Sequence, residues 1–265
     1  MTAASGSDAD LAADLAQQAG RLLCEHRQRS LEGPTISVTE LRDQADALAH
    51  RMLVAAFAHA RSEDAVLSEE GADDPRRLGA DRVWIIDPLD GTYEYGQYRP
   101  DFAVHIALWD RFADQPDRLA LGIVDLPAIG LTLRSDAPPL APAMAPADRP
   151  VRLVVSRTRP PAQMDRLLAA LSEAAGRPAE QVDIGSVGAK VAEILSGRAD
   201  AYVHTTGFHE WDIAAPAAVA RAAGLHVSDI AGAPLALNQP VTRVSSALVC
   251  RTGLAPALLA VLAHP

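Results

Sequence analysis

The 265-residue sequence predicts an α/β protein with an α+β N-terminal half and an α/β C-terminal half. Apolar residues recur at helical spacing near residues 8–28 and 39–60, and short β-rich runs follow them, which is typical of an α+β arrangement. Beyond residue 150, strand-like and helical runs alternate instead, which is typical of α/β structure. Apolar residues make up 49% of the chain and charged residues 22%, so the composition is that of a chain that can bury a core.

The N-terminal half contains five short β-rich runs separated by turn residues. We expect them to be strands of one sheet: Ala65–Leu67, Val83–Ile86, Phe102–Trp109, Leu119–Asp125 and Gly130–Arg134. The stretch Ser135–Pro150 then has five prolines in sixteen residues, which excludes helix and central strand. We therefore predict an N-terminal domain at 1–137, a Pro/Ala-rich linker at 138–150 and a C-terminal domain at 151–265.

The C-terminal half has four strand-like runs and four helical ones. The strand-like runs are Arg152–Ser156, Val182–Ile184, Ala201–His204 and Leu225–Val227. The helical runs are Gln163–Ala175, Ala189–Ser196, Ala214–Ala223 and Leu254–Leu262.

Charge and cysteine content exclude several classes of function. The net charge of −10 argues against a nucleic-acid binder or an anionic-membrane binder, since both need a basic surface. The two cysteines are too few for a disulfide framework, and no secretory signal precedes residue 10. The longest apolar run, Leu254–Ala263, has half the length of a membrane span. We therefore expect a soluble cytoplasmic protein with reduced thiols.

The most informative segment is Trp84-Ile-Ile-Asp-Pro-Leu-Asp-Gly-Thr92. The apolar run Val83–Ile86 predicts a buried strand that ends abruptly at Asp87 and Asp90. Two carboxylates at the end of a buried strand are unfavourable unless a metal or a cationic side chain neutralises them. Because the segment contains neither Lys nor Arg, a divalent cation with oxygen ligands is the simpler solution.

Gly91 and Thr92 follow these acids and supply a permissive backbone and a hydroxyl, which suit a phosphate oxygen. The same spacing also fits a second interpretation. Asp-Pro and Asp-Gly pairs commonly form turns, and a hairpin turn would leave both acids in solvent.

Three further acidic positions admit ordinary structural roles. Glu69 and Glu70 follow the apolar run Ala65–Leu67, but paired glutamates on loops are usually solvated. Asp212 precedes an Ala-rich helical run and is well placed as its N-cap. Asp46 lies on the second helix and by itself would be a surface residue.

Taken together, these segments resemble the inositol monophosphatase superfamily of metal-dependent, lithium-sensitive phosphatases. The motifs that carry the resemblance are Leu67-Ser-Glu-Glu70, Trp84-Ile-Ile-Asp-Pro-Leu-Asp-Gly-Thr92, Glu210-Trp-Asp-Ile-Ala-Ala215 and Ala223-Gly224. Further motifs are similar to the 3′(2′),5′-bisphosphate nucleotidase branch, namely Thr92-Tyr-Glu-Tyr95, Gly185-Ser-Val-Gly-Ala-Lys190, Ala103-Val-His-Ile-Ala-Leu-Trp109 and Ala214-Ala-Pro216. The resemblance implies a five-layered αβαβα sandwich and, since family members are often dimers, allows a homodimer.

The resemblance also implies a role for each matching residue. Glu69, Asp87 and the Leu89 carbonyl would hold one Mg²⁺, and Asp87, Asp90 and Asp212 a second, with a weaker third at Glu69. Thr92, linked to Asp46, would orient or deprotonate the attacking water, with Glu69 as the third catalytic residue. The residues expected to contact the substrate are Asp90, Gly91, Thr92, Ser186, Lys190 and Asp212. Lys190 would pair with a second phosphate, although a helix-surface lysine is an equally simple interpretation.

The implied activity is hydrolysis of 3′-phosphoadenosine 5′-phosphate to AMP and phosphate, which removes a by-product of sulfate activation. The branch commonly has a basic residue where this chain has Tyr93. An inositol-phosphate phosphatase, a sugar-phosphate phosphatase and a nucleotide phosphatase of a specialised pathway are therefore the alternatives. A catalytically silent metal or nucleotide sensor is the alternative from another class, but every acid that the chemistry needs is present.

Overall fold

The computed structural model describes residues 6–33, 36–139 and 149–264. The helices are α1 (Asp8–Glu32), α2 (Val38–Ala60), α3 (Thr92–Gly96), α4 (Met164–Ala175), α5 (Val187–Leu195), α6 (Glu210–Ala222) and α7 (Ala255–Leu262). The strands are β1 (Ala65–Ser68), β2 (Arg82–Asp90), β3 (Ala103–Asp110), β4 (Leu119–Leu126), β5 (Leu131–Arg134), β6 (Val151–Ser156), β7 (Ala179–Ile184), β8 (Ala201–His204), β9 (Phe208–His209), β10 (His226–Ser228), β11 (Arg243–Val244) and β12 (Ala247–Cys250). Short 3₁₀ turns lie at Pro75–Gly79, Pro127–Ile129 and Thr252–Leu254.

Two five-stranded sheets form the framework. The first has the order β1-β2-β3-β4-β5, in which β1 and β2 are parallel and the other neighbours antiparallel. The second has the order β10-β12-β8-β6-β7. Its β6 pairs in parallel with both β7 and β8, whereas β12 is antiparallel to its two neighbours, so this sheet is mixed.

The layers follow the order α/β/α/β/α, which confirms the predicted fold class. One apolar core lies between α1, α2 and the first sheet. A second, larger core lies between the two sheets and includes α5 and α6. A third core joins the outer face of the second sheet to α4 and α7. Both faces of each sheet are therefore covered.

Local sequence explains where the first two helices begin. The Ser7 hydroxyl accepts the backbone N–H of Asp10 at 3.1 Å, which satisfies a donor in the first turn of α1. Ser37 and Glu40 form a reciprocal capping box at the start of α2, with hydrogen bonds of 3.1 and 2.8 Å. These caps agree with the predicted helices near residues 8–28 and 39–60.

Helix α6 is almost entirely buried between the two sheets, and its run of alanines allows this close packing. Gly122 on β4 is part of the fit, because a Cβ there would lie 2.6 Å from both the carbonyl oxygen of Ala215 and the Cβ of Ala218. The N-terminus of this tightly held helix carries Glu210, Trp211 and Asp212 to the end of the sandwich.

The structure differs from the predicted elements in several places. Strand β2 does not end at Ile86 but continues to Asp90, with an irregularity in register between Asp87 and Asp90. Helix α3 and strands β9, β11 and β12 have no counterpart among the predicted elements. Most of the predicted linker, residues 140–148, lies outside the described residues, so the domain division stays a prediction.

The cysteines and the length of the apolar helices were also the subject of predictions. Cys24 and Cys250 are both free. Within the described ranges, we find no helix whose length and hydropathy would let it cross a bilayer.

Candidate metal centre and active-site cleft

Three carboxylates from distant parts of the chain meet at one point. One oxygen of each of Asp87, Asp90 and Asp212 lies within 4.8 Å of the others. Asp87 and Asp90 come from the end of β2, and Asp212 comes from the first turn of α6. They face a cleft of about 220 Å³ that Glu69 and Leu89 also line. Asp87 and Asp90 thus belong to a carboxylate cluster and do not form a solvated hairpin turn.

Asp87 is the most buried of these acids, with 1% of its surface exposed. Its Oδ1 accepts the backbone N–H of Leu89 at 3.0 Å, while its Oδ2 is buried without a hydrogen-bond partner. Burial, with the charges of Glu69 and Asp90 added, raises the pKa of this carboxyl well above its ordinary value. A buried, unpaired carboxylate oxygen among like charges is costly unless a cation meets it. The all-oxygen donor set fits a hard divalent cation such as Mg²⁺.

Asp90 is held from the other half of the chain. Its Oδ2 accepts the hydroxyl of Ser186 at 2.7 Å and the backbone N–H of Val187 at 2.5 Å. His105 Nε2 lies 3.4 Å from the same oxygen. Gly188 leaves room for this histidine, since a Cβ there would lie 2.4 Å from His105 Nε2. The Asp90 carboxylate therefore has one defined orientation, with Oδ2 fixed by donors.

Asp212 occupies the third position of α6 and not the N-cap position that we predicted. His209 precedes the helix as its N-cap residue, and its backbone N–H donates to Asp212 Oδ2 at 2.6 Å. Burial raises the pKa of Asp212 to about 7, Asp90 adds to the shift, and the charge of Arg159 opposes it. The side chain thus caps its own helix and also belongs to the carboxylate cluster.

Two further acids belong to this cluster: Glu69 lines the cleft, and Asp46 is buried close enough for its charge to act on Glu69 and Asp87. The Glu69 side chain is open to solvent, yet surrounding protein and the nearby Asp90 and Glu70 raise its pKa to about 7. Asp46 is 8% exposed, and its Oδ1 is buried without a hydrogen-bond partner. Burial, followed by the charges of Glu69 and Glu70, raises the pKa of Asp46 to about 8. Asp46 is therefore not the surface residue that its helix alone would indicate.

Gly91 and Thr92 form the wall of the cleft where α3 begins. Gly91 has a φ of +89°, which favours glycine, and a Cβ there would lie 3.1 Å from the carbonyl oxygen of Asp101. The Thr92 hydroxyl donates to the carbonyl oxygen of Leu89 at 3.3 Å. The resemblance implies a link between Thr92 and Asp46. Among the described contacts, however, Thr92 makes no hydrogen bond to Asp46.

Ser186 and Lys190 do not line the cleft, contrary to our expectation of direct substrate contact. They are 0% and 2% exposed. Ser186 is the N-cap of α5 and accepts the N–H of Ala189 at 3.1 Å while donating to Asp90. The Lys190 ammonium donates to the carbonyl oxygens of Gly185 and Ser186, and burial lowers its pKa to about 8. Ser186 thus supports the Asp90 carboxylate directly, and Lys190 holds the backbone turn at Gly185 and Ser186.

Comparison with known proteins assigns the family. A sequence profile of the inositol monophosphatase family matches residues 7–263. The chain belongs to the inositol monophosphatase family.

Relatives within this family bear names of nucleotide phosphatases. A Mycobacterium leprae protein named 3′-phosphoadenosine 5′-phosphate phosphatase is 43% identical over 263 residues, which cover 97% of this chain and 93% of the relative. The Escherichia coli K12 protein named 3′(2′),5′-bisphosphate nucleotidase CysQ is 32% identical over 202 residues, covering 72% and 77% of the two chains.

Solved structures show the same fold. CysQ from Bacteroides thetaiotaomicron superposes with a TM-score of 0.72 at 27% identity, over 94% of this chain and 99% of that one. The extragenic suppressor protein SuhB from Bartonella henselae has a TM-score of 0.73 at 20% identity, over 96% and 98% of the two chains.

One wall of the cleft consists of residues that were not among the predicted site residues. Arg157 and Arg159, in the segment that follows β6, line the cleft together with Glu94 of α3. A signal for them was present in the sequence, because Arg157-Thr-Arg159 comes directly after the predicted strand Arg152–Ser156. Two cations at a strand end can indicate a ligand site, as the two acids at the end of β2 do.

Proposed function

We propose that this protein is a metal-dependent phosphatase that hydrolyses 3′-phosphoadenosine 5′-phosphate to AMP and phosphate. The observation that carries the proposal is the cluster of Asp87, Asp90 and Asp212, with an unpaired buried oxygen on Asp87, at a cleft. The substrate follows from the 43% identity to the Mycobacterium leprae protein that bears this activity in its name.

The cleft residues divide into two overlapping groups of metal ligands. Glu69, Asp87 and the Leu89 carbonyl would hold one Mg²⁺, and Asp87, Asp90 and Asp212 a second, with Glu69 available to a weaker third. When bound, Mg²⁺ supplies Lewis-acid polarisation of the phosphate and a coordinated water of lowered pKa. The Leu89 N–H donates to Asp87 Oδ1, which leaves the unpaired Oδ2 as the atom that would meet a cation.

The remaining cleft residues orient the water and the substrate. Thr92 donates its own proton to the Leu89 carbonyl, so its oxygen lone pairs are left to accept a hydrogen bond from the attacking water. Glu69 lines the cleft and would accept the proton of that water, and Asp46 would act with Thr92 from its buried position close enough to Glu69 for their charges to interact. Gly91 and Thr92 contact the phosphate, and Asp90 and Asp212 face the ester from the other side.

The wider biological role follows from the same substrate. Removal of 3′-phosphoadenosine 5′-phosphate belongs to sulfur metabolism in the cytoplasm, and inhibition by Li⁺ and a homodimeric state are expected of the family. Each of these properties is independent of the site geometry and needs its own measurement.

Steady-state kinetics test the proposal. We expect Mg²⁺-dependent phosphate release from 3′-phosphoadenosine 5′-phosphate, abolished by EDTA and restored by excess Mg²⁺. Inositol 1-phosphate and fructose 1,6-bisphosphate are the competing substrates, because a Thermotoga maritima relative named fructose-1,6-bisphosphatase/inositol-1-monophosphatase is 26% identical over 84% of this chain. A higher kcat/KM for either of them would overturn the choice of substrate. Absence of turnover with all three substrates would overturn the phosphatase itself.

A further inference from the structure

The cleft has two walls of opposite charge. One side carries the carboxylates of Glu69, Asp87, Asp90 and Asp212. The facing side is the segment Ser156–Arg159, whose two arginines are the cations that line the cleft within the described residues. The same segment carries two hydroxyls, from Ser156 before the first arginine and from Thr158 between the two. Guanidinium and hydroxyl donors together make a surface that suits an anion.

Arg157 is already neutralised by the protein. It forms ion pairs with Glu94 and with Asp101, the latter at 3.2 Å, and it donates to the carbonyl oxygen of Asp183 at 3.1 Å. These partners come from α3, from the turn before β3 and from β7, so Arg157 joins the two halves of the chain at the cleft. Its charge is compensated and most of its donors are engaged.

Arg159 has a different environment. Its side chain is exposed, and its Nη1 donates to the carbonyl oxygen of Gly207 at 3.3 Å. Among the described residues no carboxylate forms an ion pair with it. A guanidinium has five N–H donors in a planar fork, so one bond to a carbonyl leaves donors available for a bidentate contact with an anion. Arg159 is thus a cleft cation that no acid of the described residues engages in a direct ion pair, although its charge acts on Asp212 at a distance.

We propose that Arg159 binds the second phosphate of the substrate and thereby selects nucleoside bisphosphates over nucleoside monophosphates. The inference rests on the proposed function. With the scissile 3′-phosphate at the carboxylate side, the 5′-phosphate needs a cation away from that cluster, since the carboxylates there repel it. Arg159 supplies this cation on the facing wall, and the bond to Gly207 holds its side chain in place. Arg159 is a specificity-determining residue and takes no part in bond cleavage.

Two substrates that differ only in the 5′-phosphate test this inference. The measured quantity is the ratio of kcat/KM for 3′-phosphoadenosine 5′-phosphate to kcat/KM for adenosine 3′-phosphate. Loss of a charge-assisted bidentate contact in Arg159→Ala should lower this ratio by about 10- to 100-fold. The loss should appear mainly as a higher KM for the bisphosphate. Arg159→Lys, which keeps the charge without the fork, should lose less.

Arg243 provides the matched control. It is also exposed, and its Nη2 donates to the carbonyl oxygen of Thr206 at 2.9 Å, one residue from the Arg159 contact, but it does not line the cleft. Arg243→Ala removes the same charge beside the same loop and should keep the wild-type ratio. An equal fall of the ratio in both variants would indicate a general charge effect and overturn the inference.

The two proposals fail in different ways. If the wild-type protein hydrolyses neither adenosine substrate, the proposed function is wrong. If it hydrolyses the bisphosphate and Arg159→Ala leaves the substrate ratio unaltered, only the role of Arg159 is wrong. A thermal melt of each variant checks that the fold is intact, which we expect because both side chains are exposed.

Discussion

The hydroxyl of Ser186 donates to Asp90 Oδ2 at 2.7 Å, across 96 positions of the sequence. Asp90 is the last residue of strand β2, which also carries Asp87. Ser186 is the N-cap of helix α5 in the C-terminal half. The Val187 N–H adds a second donor at the same oxygen. A helix start thus orients a carboxylate of the metal centre, so assembly of the centre depends on how the two halves pack.

Ser186→Ala should weaken both the helix and the metal centre. The substitution removes the bond to Asp90 and the cap on the Ala189 N–H, so the free energy of unfolding should fall by about 1–2 kcal/mol. Loss of the hydroxyl that orients Asp90, a proposed metal ligand, should also weaken Mg²⁺ activation by about 10-fold or more. Ser196→Ala, at the exposed end of the same helix, is the control. Wild-type Mg²⁺ activation in Ser186→Ala would exclude a positioning role.

Asp90→Asn should remove Mg²⁺-dependent turnover, because the amide carries no charge for the cation. We expect kcat/KM to fall by about 100-fold or more, as for loss of a Lewis-acid contribution of several kcal/mol. Circular dichroism should show an intact fold, since the amide oxygen keeps an acceptor for Ser186.

The control for this variant is Asp125→Asn. Asp125 is also a buried acid and accepts the Thr132 hydroxyl at 2.7 Å, but it lies on β4 outside the cleft lining. It should retain full activity. Turnover in Asp90→Asn equal to that of the control would remove Asp90 from the metal ligands.

The metal-free protein should lose stability as the pH rises through neutrality, and Asp46 is one cause. Burial raises its pKa in the folded state from the ordinary 3.8 to about 8. The contribution of this carboxyl is therefore fully present below about pH 4 and is lost as the pH rises to about 8.

Comparison with Asp46→Asn isolates this contribution. In urea titrations with EDTA, the wild type should lose about 1 kcal/mol per pH unit relative to the variant between about pH 5 and pH 7.5. Titrating groups that do not interact with Asp46 cancel in the difference, whereas its neighbours Glu69 and Glu70 contribute to it. Parallel pH profiles of the two proteins would show that Asp46 ionises normally in the folded state.

Arg77→Ala should destabilise the protein strongly although Arg77 lies outside the cleft. Its side chain is 1% exposed and donates to Asn238 Oδ1 at 2.7 Å and to the Gln239 carbonyl at 2.8 Å. Removal leaves these acceptors and Asp73 without their donor, at a cost of about 2–4 kcal/mol. Arg76→Ala, whose side chain is 91% exposed, should leave the free energy of unfolding almost unchanged. Equal effects of the two substitutions in denaturant titrations would contradict the role of burial.

Periodicity in the sequence predicts those elements that bury one face and expose the other. The amphipathic repeat of α1 and α2 predicts two helices that each bury one face, and the structure has them. Strand β12 has no predicted counterpart although its four residues are all buried, and its antiparallel pairing with β8 and β10 gives it a place in the second sheet. The extension of β2 through Pro88 runs against the usual exclusion of proline from strands, and its irregular register allows it.

The sequence by itself determined the residue types of the site and the family. Acids at strand ends and at a helix start indicate a site for a hard divalent cation such as Mg²⁺, which prefers oxygen ligands, and the order and separation of the motifs carry the resemblance to the family. Only the tertiary structure decided what each residue touches. Ser186 and Lys190 are buried because α5 lies between the two sheets, and Arg159 is a cleft residue because the segment after β6 lines the cleft. Distance along the chain carries no information about such contacts, which arise when packed layers bring remote strand ends and helix starts together.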